Sequence, residues 1–292
     1  MITAVLCVVL GAALIGTYVV ITYLRTPVAA GTGGDPALTA SSSPTPAPSP
    51  TVNEQVRASL ANYLSAKGQY AAVGVLDLTT GAQVVYNEQA SFQTASIVKA
   101  DILATLLYQL QGENKQLTAS QKQLATKMIT LSDNTAASSL YSQIGGASGL
   151  NAANKAFGLT STTPGPGSTW GKAHTTVTDQ LALLRVLASD DSPLSADSRA
   201  YQLGLMSQVD DDQDWGVPAA ATGAATKVYV KNGWDTLAAD GGLWEINSIG
   251  RIVEPGHDWL VVVLSSHNKT MDDGVDLVEG AAKMAVSGLR GG

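Results

Sequence analysis

The stretch MITLSDNTAA, Met128–Ala137, carries the clearest structural signal in this chain. Apolar residues spaced as on one face of a helix lead into Ser132-Asp133-Asn134, and a second helical pattern follows. Side chains of these three types accept hydrogen bonds from free backbone N–H groups, so the triplet is also an ordinary helix N-cap pattern. Alone, it predicts two helices joined by a tight turn and leaves a chemical role open.

A second motif, Ser96-Ile97-Val98-Lys99, opens a long apolar run that is typical of a buried helix. Residues three apart lie on the same helix face, so the amine of Lys99 can reach the hydroxyl of Ser96. A serine hydroxyl is a weak nucleophile until a neighbouring base takes its proton. The motif is weak evidence by itself, because Ser266-His267-Asn268-Lys269 repeats the same spacing.

A third motif, Lys231-Asn232-Gly233, follows an alternating stretch that predicts a strand over 227–231. We place the triplet at the end of that strand. Asparagine followed by glycine is also a common turn sequence, so a purely structural interpretation stays open here.

The order of elements favours an α+β fold. Val56, Leu60, Tyr63 and Leu64 have helical spacing, and the stretch from Ser96 to about Leu187 is mostly helical. Strands are predicted over 71–78, 83–86, 227–231, 243–253 and 259–265, and a closing helix over 272–289. Runs of strands and helices that do not alternate singly are typical of α+β proteins.

Composition excludes several classes of function. The net charge is −7 and there is no basic run, which argues against nucleic acid as a partner. The single cysteine, Cys7, lies in the N-terminal apolar segment, so the rest of the chain has no disulfide and no thiolate metal site. The three histidines are widely spaced. We therefore expect no metal and no cofactor.

The N-terminal part predicts attachment to a membrane or export across one. Residues 1–25 are almost continuously apolar and long enough to span a bilayer, with a cleaved signal peptide as the alternative. Arg25 follows the apolar run and, alone, favours a cytoplasmic C-terminal side. Residues 26–52 are rich in Pro, Ser and Thr and predict a mobile linker, and residues 53–292 form the folded domain. We expect that domain to be monomeric and extracytoplasmic, or secreted.

Together the three motifs, in this order, resemble those of the penicillin-recognising serine hydrolases, especially the class A β-lactamases. The resemblance extends from about Val56 to Leu289 and is strongest over 128–137 and at Ile144-Gly145-Gly146. It implies a five-stranded antiparallel sheet flanked by the N- and C-terminal helices, with an inserted all-helical subdomain.

The resemblance also implies roles for the motif residues. Ser96 would attack a carbonyl carbon and become acylated, and Lys99 would help remove its proton. Ser132 would pass a proton to the leaving nitrogen. The backbone N–H groups of Ser96 and Trp234 would form the oxyanion hole, whose donors stabilise the transition state.

The remaining motif residues would bind substrate. Asn134 would hold Lys99 or a substrate amide, and Lys231 would attract a substrate carboxylate. Asn232 and Gly233 complete the third motif. Asn232 stands where the family usually has a hydroxyl residue; its amide can still donate to a carboxylate, with a different reach.

The chain departs from class A β-lactamases in the step that releases the acyl group. Those enzymes carry a glutamate between the second and third motifs, and this chain has none between Glu113 and Glu245. In the corresponding stretch, residues 164–174, His174 is the one titrating candidate base. The segment from Gln111 to Gln123 is also shorter than the one in β-lactamases, part of which borders the active site, so the site should be more open on that side.

Three functions remain open at this point. The first is an exported serine hydrolase that is acylated at Ser96 by β-lactams or acyl-D-Ala-like amides and is deacylated slowly. The second is a non-catalytic cell-wall binding or sensor domain, and the third is a DD-peptidase acting on peptidoglycan peptides. The acidic run 210–214 lacks the glycine and glutamate of an EF-hand calcium loop, and we interpret it as a solvated loop.

Overall fold

The computed structural model describes residues 50–68, 70–237 and 241–291. The helices are α1 Val52–Lys67, α2 Val98–Gly112, α3 Ala119–Thr130, α4 Asn134–Gln143, α5 Gly146–Phe157, α6 Val177–Ala188, α7 Ala196–Met206 and α8 Met271–Arg290. The strands are β1 Tyr70–Asp77, β2 Gln83–Tyr86, β3 Phe92–Gln93, β4 His174–Thr175, β5 Lys227–Leu237, β6 Leu243–Glu254 and β7 His257–Asn268. The predicted anchor, residues 1–25, and linker residues 26–49 lie outside the described residues.

Five strands form one antiparallel sheet in the order β2-β1-β7-β6-β5. The α+β class and the five-stranded antiparallel sheet are confirmed. A second, two-stranded sheet joins β3 to β4. The sequence did not predict it, because two residues a strand are too few to show alternation.

Strand β5 runs to Leu237, so the prediction that it ends at Lys231 is wrong. Asn232 lies opposite Ser248 and Gly233 opposite Asn247 in β6, and both are buried inside the sheet. The alternative of a turn at this motif is therefore also wrong. Turn-type residues stand in a strand here because each has a packing partner, described with the site below.

Each face of the sheet carries its own core. On one face, α8 buries Leu277, Val278, Ala281, Ala282, Ala285, Val286 and Leu289 together with α1. The helical subdomain covers the other face, where α6 packs so close to β1 that a Cβ on Gly74 would lie 2.8 Å from Leu181 Cδ1. Helix α2 is buried in that subdomain from Val98 to Leu107, and it carries the first motif at its N-terminus.

Among the described residues, none of the helices has both the length and the apolar character needed to cross a bilayer.

Candidate active site

The candidate nucleophile lies in a tight turn that leads into α2. Ser96 is the middle residue of a short 3₁₀ helix, Ala95–Ile97, and it is partly exposed. Ala95 has a φ of 45°, in the left-handed region that non-glycine residues rarely adopt. Strained backbone of this kind persists only where its surroundings hold it. The turn therefore presents the Ser96 hydroxyl at a fixed position beside the buried start of α2.

Lys99 is fully buried and makes four polar contacts at its Nζ atom. It donates to the Asn134 side-chain oxygen at 2.7 Å and to the Ser132 carbonyl oxygen at 2.5 Å, and both of these atoms can only accept. The Ser96 and Ser132 hydroxyl oxygens lie at 2.9 and 3.0 Å. A neutral amine has two N–H groups and one lone pair, so the two acceptors leave the lone pair for a hydroxyl proton.

The electrostatic setting makes the neutral amine accessible. Burial lowers the pKa of Lys99 to about 7, and the nearby charge of Asp133 opposes that shift. At neutral pH a substantial fraction of Lys99 is therefore unprotonated. An amine of this kind can take the proton of Ser96 without help from a histidine.

Ser132 occupies the turn between α3 and α4. Its φ is 53°, which aims both its carbonyl and its hydroxyl at Lys99. Asp133 is the N-cap of α4 and accepts from the Ala136 N–H at 2.6 Å, and Asn134 begins the helix. The N-cap interpretation of this triplet is thus right for Asp133, while its two neighbours contact Lys99.

Lys231 brings the third motif to the same hydroxyl. Its Nζ donates to Ser132 Oγ at 3.0 Å and to the Asn232 carbonyl at 2.9 Å, and the side chain is fully buried. Burial, and then the neighbouring Lys99, lower the pKa of Lys231 well below its ordinary value. Ser132 Oγ therefore lies between two amines, a position from which a proton can be passed.

Gly233 allows β5 to approach the nucleophile's turn. A Cβ at this position would lie 2.7 Å from both Ser96 N and Ile97 N, and 2.8 Å from the Thr94 carbonyl oxygen. Backbone atoms cannot rotate away from such a contact. Glycine is therefore required by close approach, and the amide of Trp234, bonded to the Gly233 carbonyl carbon, lies in the same neighbourhood as that of Ser96.

Asn232 is placed differently from the sequence-based expectation. It is 1% exposed, and its amide nitrogen donates to the carbonyls of Gln213 at 2.8 Å and Trp215 at 2.9 Å. An amide group has two N–H donors, and both are occupied. The side chain thus fixes the loop beside β5, and no donor is left for a substrate carboxylate.

A tryptophan that the sequence analysis did not single out covers Lys99. The Trp170 ring centroid lies 4.9 Å from Lys99 Nζ, and its Nε1 donates to Ser138 Oγ at 3.0 Å. The residue starts a 3₁₀ helix, Trp170–Lys172, in a loop rich in proline and glycine, where no periodicity marks it. His174, the predicted candidate base, is exposed on β4 opposite Gln93.

The other sequence candidates lie away from this cluster. Ser266 is buried near the end of β7 and Lys269 is exposed beyond it, so this second Ser-x-x-Lys is not helical. Asp210, Asp211, Asp212 and Asp214 lie between α7 and β5, at the protein surface, as expected of a solvated loop. Within residues 50–68, 70–237 and 241–291, no group of three or more His, Cys, Asp or Glu side chains could hold a metal ion.

Comparisons with known proteins identify the family to which this chain belongs. Residues 53–121 and 110–289 match the model of the beta-lactamase enzyme family. The chain belongs to the beta-lactamase enzyme family. The resemblance predicted from the three motifs is confirmed.

Solved beta-lactamases share the fold. A beta-lactamase from Xanthomonas campestris pv. campestris superimposes with a TM-score of 0.70 at 20% identity, covering 81% of this chain and 98% of that one. The class A beta-lactamase from Mycobacterium abscessus gives a TM-score of 0.67 at 21% identity, over 80% and 98% of the two chains. An ancestral class A enzyme gives 0.67 at 24% identity, over 80% and 99%.

Among curated proteins, "Putative lipoprotein LppW" of Mycobacterium tuberculosis is 27% identical over 207 residues. The same protein of Mycobacterium bovis matches equally. The matched stretch is 69% of this chain and 64% of the relative.

Proposed function

We propose that this member of the beta-lactamase enzyme family is an exported serine hydrolase that is acylated at Ser96 and deacylated slowly. Its substrates would be β-lactams or acyl-D-Ala-like amides. The observation that carries the proposal is the contact of Lys99 Nζ with Ser96 Oγ at 2.9 Å while two acceptor-only oxygens hold the amine's N–H groups.

Acylation can be followed atom by atom through these contacts. The lone pair of neutral Lys99 takes the Ser96 proton as Oγ attacks the carbonyl carbon. The amides of Ser96 and Trp234 would receive the developing oxyanion. Ser132 Oγ, 3.0 Å from both lysines, would give its proton to the leaving nitrogen and recover one from Lys99. The carbon–nitrogen bond breaks, and the acyl group stays on Ser96.

Deacylation lacks an evident base. Class A enzymes use a glutamate there, and this chain has none between Glu113 and Glu245. His174 is exposed to solvent and makes none of the contacts of Lys99 Nζ. The neighbours of that amine are the side chains of Ser96, Ser132 and Asn134 and the Trp170 ring. In the part of the chain that the structure describes, these contacts leave no group positioned to take a proton from water, so the ester at Ser96 would persist.

The decisive experiment follows a fluorescent penicillin by intact-mass spectrometry over time. We expect a covalent adduct on the wild-type protein, none on Ser96→Ala, and an undiminished adduct on Ser266→Ala, which alters the second Ser-x-x-Lys. No wild-type adduct at millimolar penicillin would refute the proposal. If a fluorophosphonate also fails to label Ser96, the protein is a non-catalytic binding or sensor domain. Rapid hydrolysis of a D-Ala-D-Ala peptide would instead indicate a DD-peptidase.

Export and attachment are proposed from the sequence and from the relative's name. Residues 1–25 would hold the domain at the outer face of the membrane through linker residues 26–52. The relative described as a lipoprotein supports a membrane location. Fractionation tests this: the full chain should sediment with membranes, and a variant lacking residues 1–25 should not.

A further inference from the structure

The Trp170 ring leaves no room for a water molecule between itself and Lys99. A water bridging an amine and an aromatic face needs about 6 Å from nitrogen to ring, counting one hydrogen bond of about 2.8 Å and one van der Waals contact. The observed separation is 4.9 Å. The other sides of Lys99 Nζ face the hydroxyls of Ser96 and Ser132 and the oxygen of Asn134, and the residue has no exposed surface.

The ring is held in place from two directions. Its Nε1 donates to Ser138 on α4. The loop that carries it is tied at its base, where Thr163 and His174 exchange two backbone hydrogen bonds of 2.9 Å and Thr94 N donates to the Ala173 carbonyl at 2.7 Å. Trp170 is therefore a built part of the site.

The loop also closes tightly on itself. A Cβ on Gly165 would lie 2.1 Å from the Thr169 carbonyl oxygen, so this close approach of residues 165 and 169 requires glycine. The loop also approaches the turn that bears the nucleophile, since a Cβ on Gly171 would lie 4.0 Å from the Ala95 carbonyl oxygen. The loop thus sets the position of the ring relative to Ser96.

We propose, building on the acylation of Ser96 proposed above, that Trp170 excludes water from Lys99 and thereby gives the acyl-enzyme its long lifetime. To release the acyl group, a water oxygen must bond to the ester carbon and give one proton to a base. The bond from that carbon to Ser96 Oγ then breaks, and Oγ recovers a proton. Lys99 Nζ lies 2.9 Å from Ser96 Oγ and would be the base for that water, and the Trp170 ring covers the side of this amine that no polar group contacts. Trp170 is accordingly a positioning residue.

The test compares lifetimes of the penicillin adduct in the full-length protein, after free penicillin is removed. We expect Trp170→Ala to shorten the lifetime at least tenfold, and Trp170→Phe to keep it within about threefold of wild type, because a phenyl ring still covers the amine. Ser138→Ala frees the indole and should shorten the lifetime less. Trp244 is a partly buried tryptophan on β6 outside the site. Trp244→Ala is therefore the matched control and should leave the adduct's lifetime unchanged.

A split between two rates separates this role from a merely structural one. If Trp170 only braced the loop, Trp170→Ala would slow acylation and leave the adduct's lifetime unchanged. An unchanged or longer lifetime in both Trp170→Ala and Ser138→Ala overturns the inference, and Ser138→Ala decides if the alanine variant at 170 does not fold. A wild-type adduct that decays within seconds also overturns it. A protein that forms no adduct refutes the proposed function instead.

Discussion

At the scale of single residues, the properties of the site depend on which groups surround each buried polar atom. Lys99 and Lys231 are both buried, and both contact Ser132 Oγ at 3.0 Å. Two neighbouring buried cations are unfavourable, so the protein favours a state in which at least one amine is neutral. The proposed acylation of Ser96 requires a neutral amine, so the desolvation that lowers these pKa values would also activate Ser96.

This setting predicts a pH dependence for acylation. The pKa of Lys99 is lowered to about 7, so the competent neutral form dominates above pH 7 and falls about tenfold per pH unit below it. We expect the second-order rate of adduct formation to rise with pH and level off near pH 8. Since Lys231 interacts with Lys99, the midpoint belongs to the pair. Stopped-flow measurement with a fluorescent penicillin between pH 5.5 and 9 checks this.

Lys99→Arg is the control for that profile. A guanidinium stays charged over the whole range and cannot accept a proton, so acylation should be lost at every pH. A wild-type rate that does not change between pH 5.5 and 9 would contradict the assignment of Lys99 as the base.

At the scale of elements, the site depends on how closely β5 approaches the turn before α2. Glycine at position 233 permits this approach, because a Cβ added there would lie only 2.7 Å from two backbone nitrogens. The two elements belong to different layers, the sheet and the helical subdomain. The packing of the sheet against the helical subdomain would therefore set the positions of the two amides proposed as oxyanion donors, those of Ser96 and Trp234.

Gly233→Ala should impair the proposed acylation of Ser96 more than it impairs folding. The added methyl forces β5 away from Ser96, and such overpacking costs about 1–3 kcal/mol of stability. We expect at least a tenfold slower adduct formation with a cooperative thermal transition retained. Gly223→Ala is the matched control, because its Cβ would meet no atom within 4 Å. Equal acylation rates for the two variants would show that the approach of β5 does not limit the reaction.

The sequence predicts those helices and strands that local patterns determine, and it fails where pairing with a distant strand determines the element. The bounds of β2, 83–86, were predicted as observed, and the predicted and observed ends of α8 differ by one residue, since alternation and helical spacing are local. Helical spacing likewise predicted the contact of Ser96 with Lys99. The family resemblance implied that Ser132, Asn134 and Lys231 join them, and the observed contacts bring the five residues together. Strand β5 was predicted too short, because its last six residues are strand by pairing with β6 rather than by propensity.

Tertiary contacts explain the two residues that the sequence placed wrongly or left out. From its type alone, Asn232 could lie in a turn or donate a hydrogen bond to a substrate carboxylate. Its amide instead holds a loop, because it donates to the carbonyls of Trp215 and Gln213, 17 and 19 residues away. Trp170 meets Lys99 from a loop with no periodic pattern. A contact of this kind is set by how the loop folds back, which spacing along the chain does not encode.

At the scale of the whole molecule, the sheet is the frame on which both cores and the site depend. One buried carboxylate ties its hairpins together at one end. Asp77, at the end of β1, accepts from the backbone N–H groups of Thr79 and Asp258 at 3.0 Å each. Its other oxygen accepts from the Thr80 hydroxyl and contacts His257 Nδ1, each at 2.7 Å. The turn after β1 and the hairpin of β6 and β7 therefore share a single anion.

That anion should make the stability of the fold sensitive to acid. Burial alone would raise the pKa of Asp77, but the hydrogen bonds from Asp258, His257, Thr80 and Thr79 outweigh it and hold the pKa below its ordinary 3.8. A depressed folded-state pKa adds stability that is present above the unfolded pKa and is lost as the pH falls through the folded one. Asp77→Asn should thus lower the free energy of unfolding by about 1.5–3 kcal/mol at pH 7, the range for hydrogen bonds to a charged group.

The difference between the two proteins should shrink as the pH falls below 3.8, because protonated Asp77 loses the charge that the asparagine variant already lacks. Urea unfolding of wild type and Asp77→Asn at pH 7, 5, 3.5 and 2.5 measures it. Taking the difference cancels the other carboxylates, including Glu254, whose pKa is also lowered. A gap that stays constant from pH 7 to 2.5 would mean that the shape and hydrogen bonding of Asp77, and not its charge, stabilise this end of the sheet.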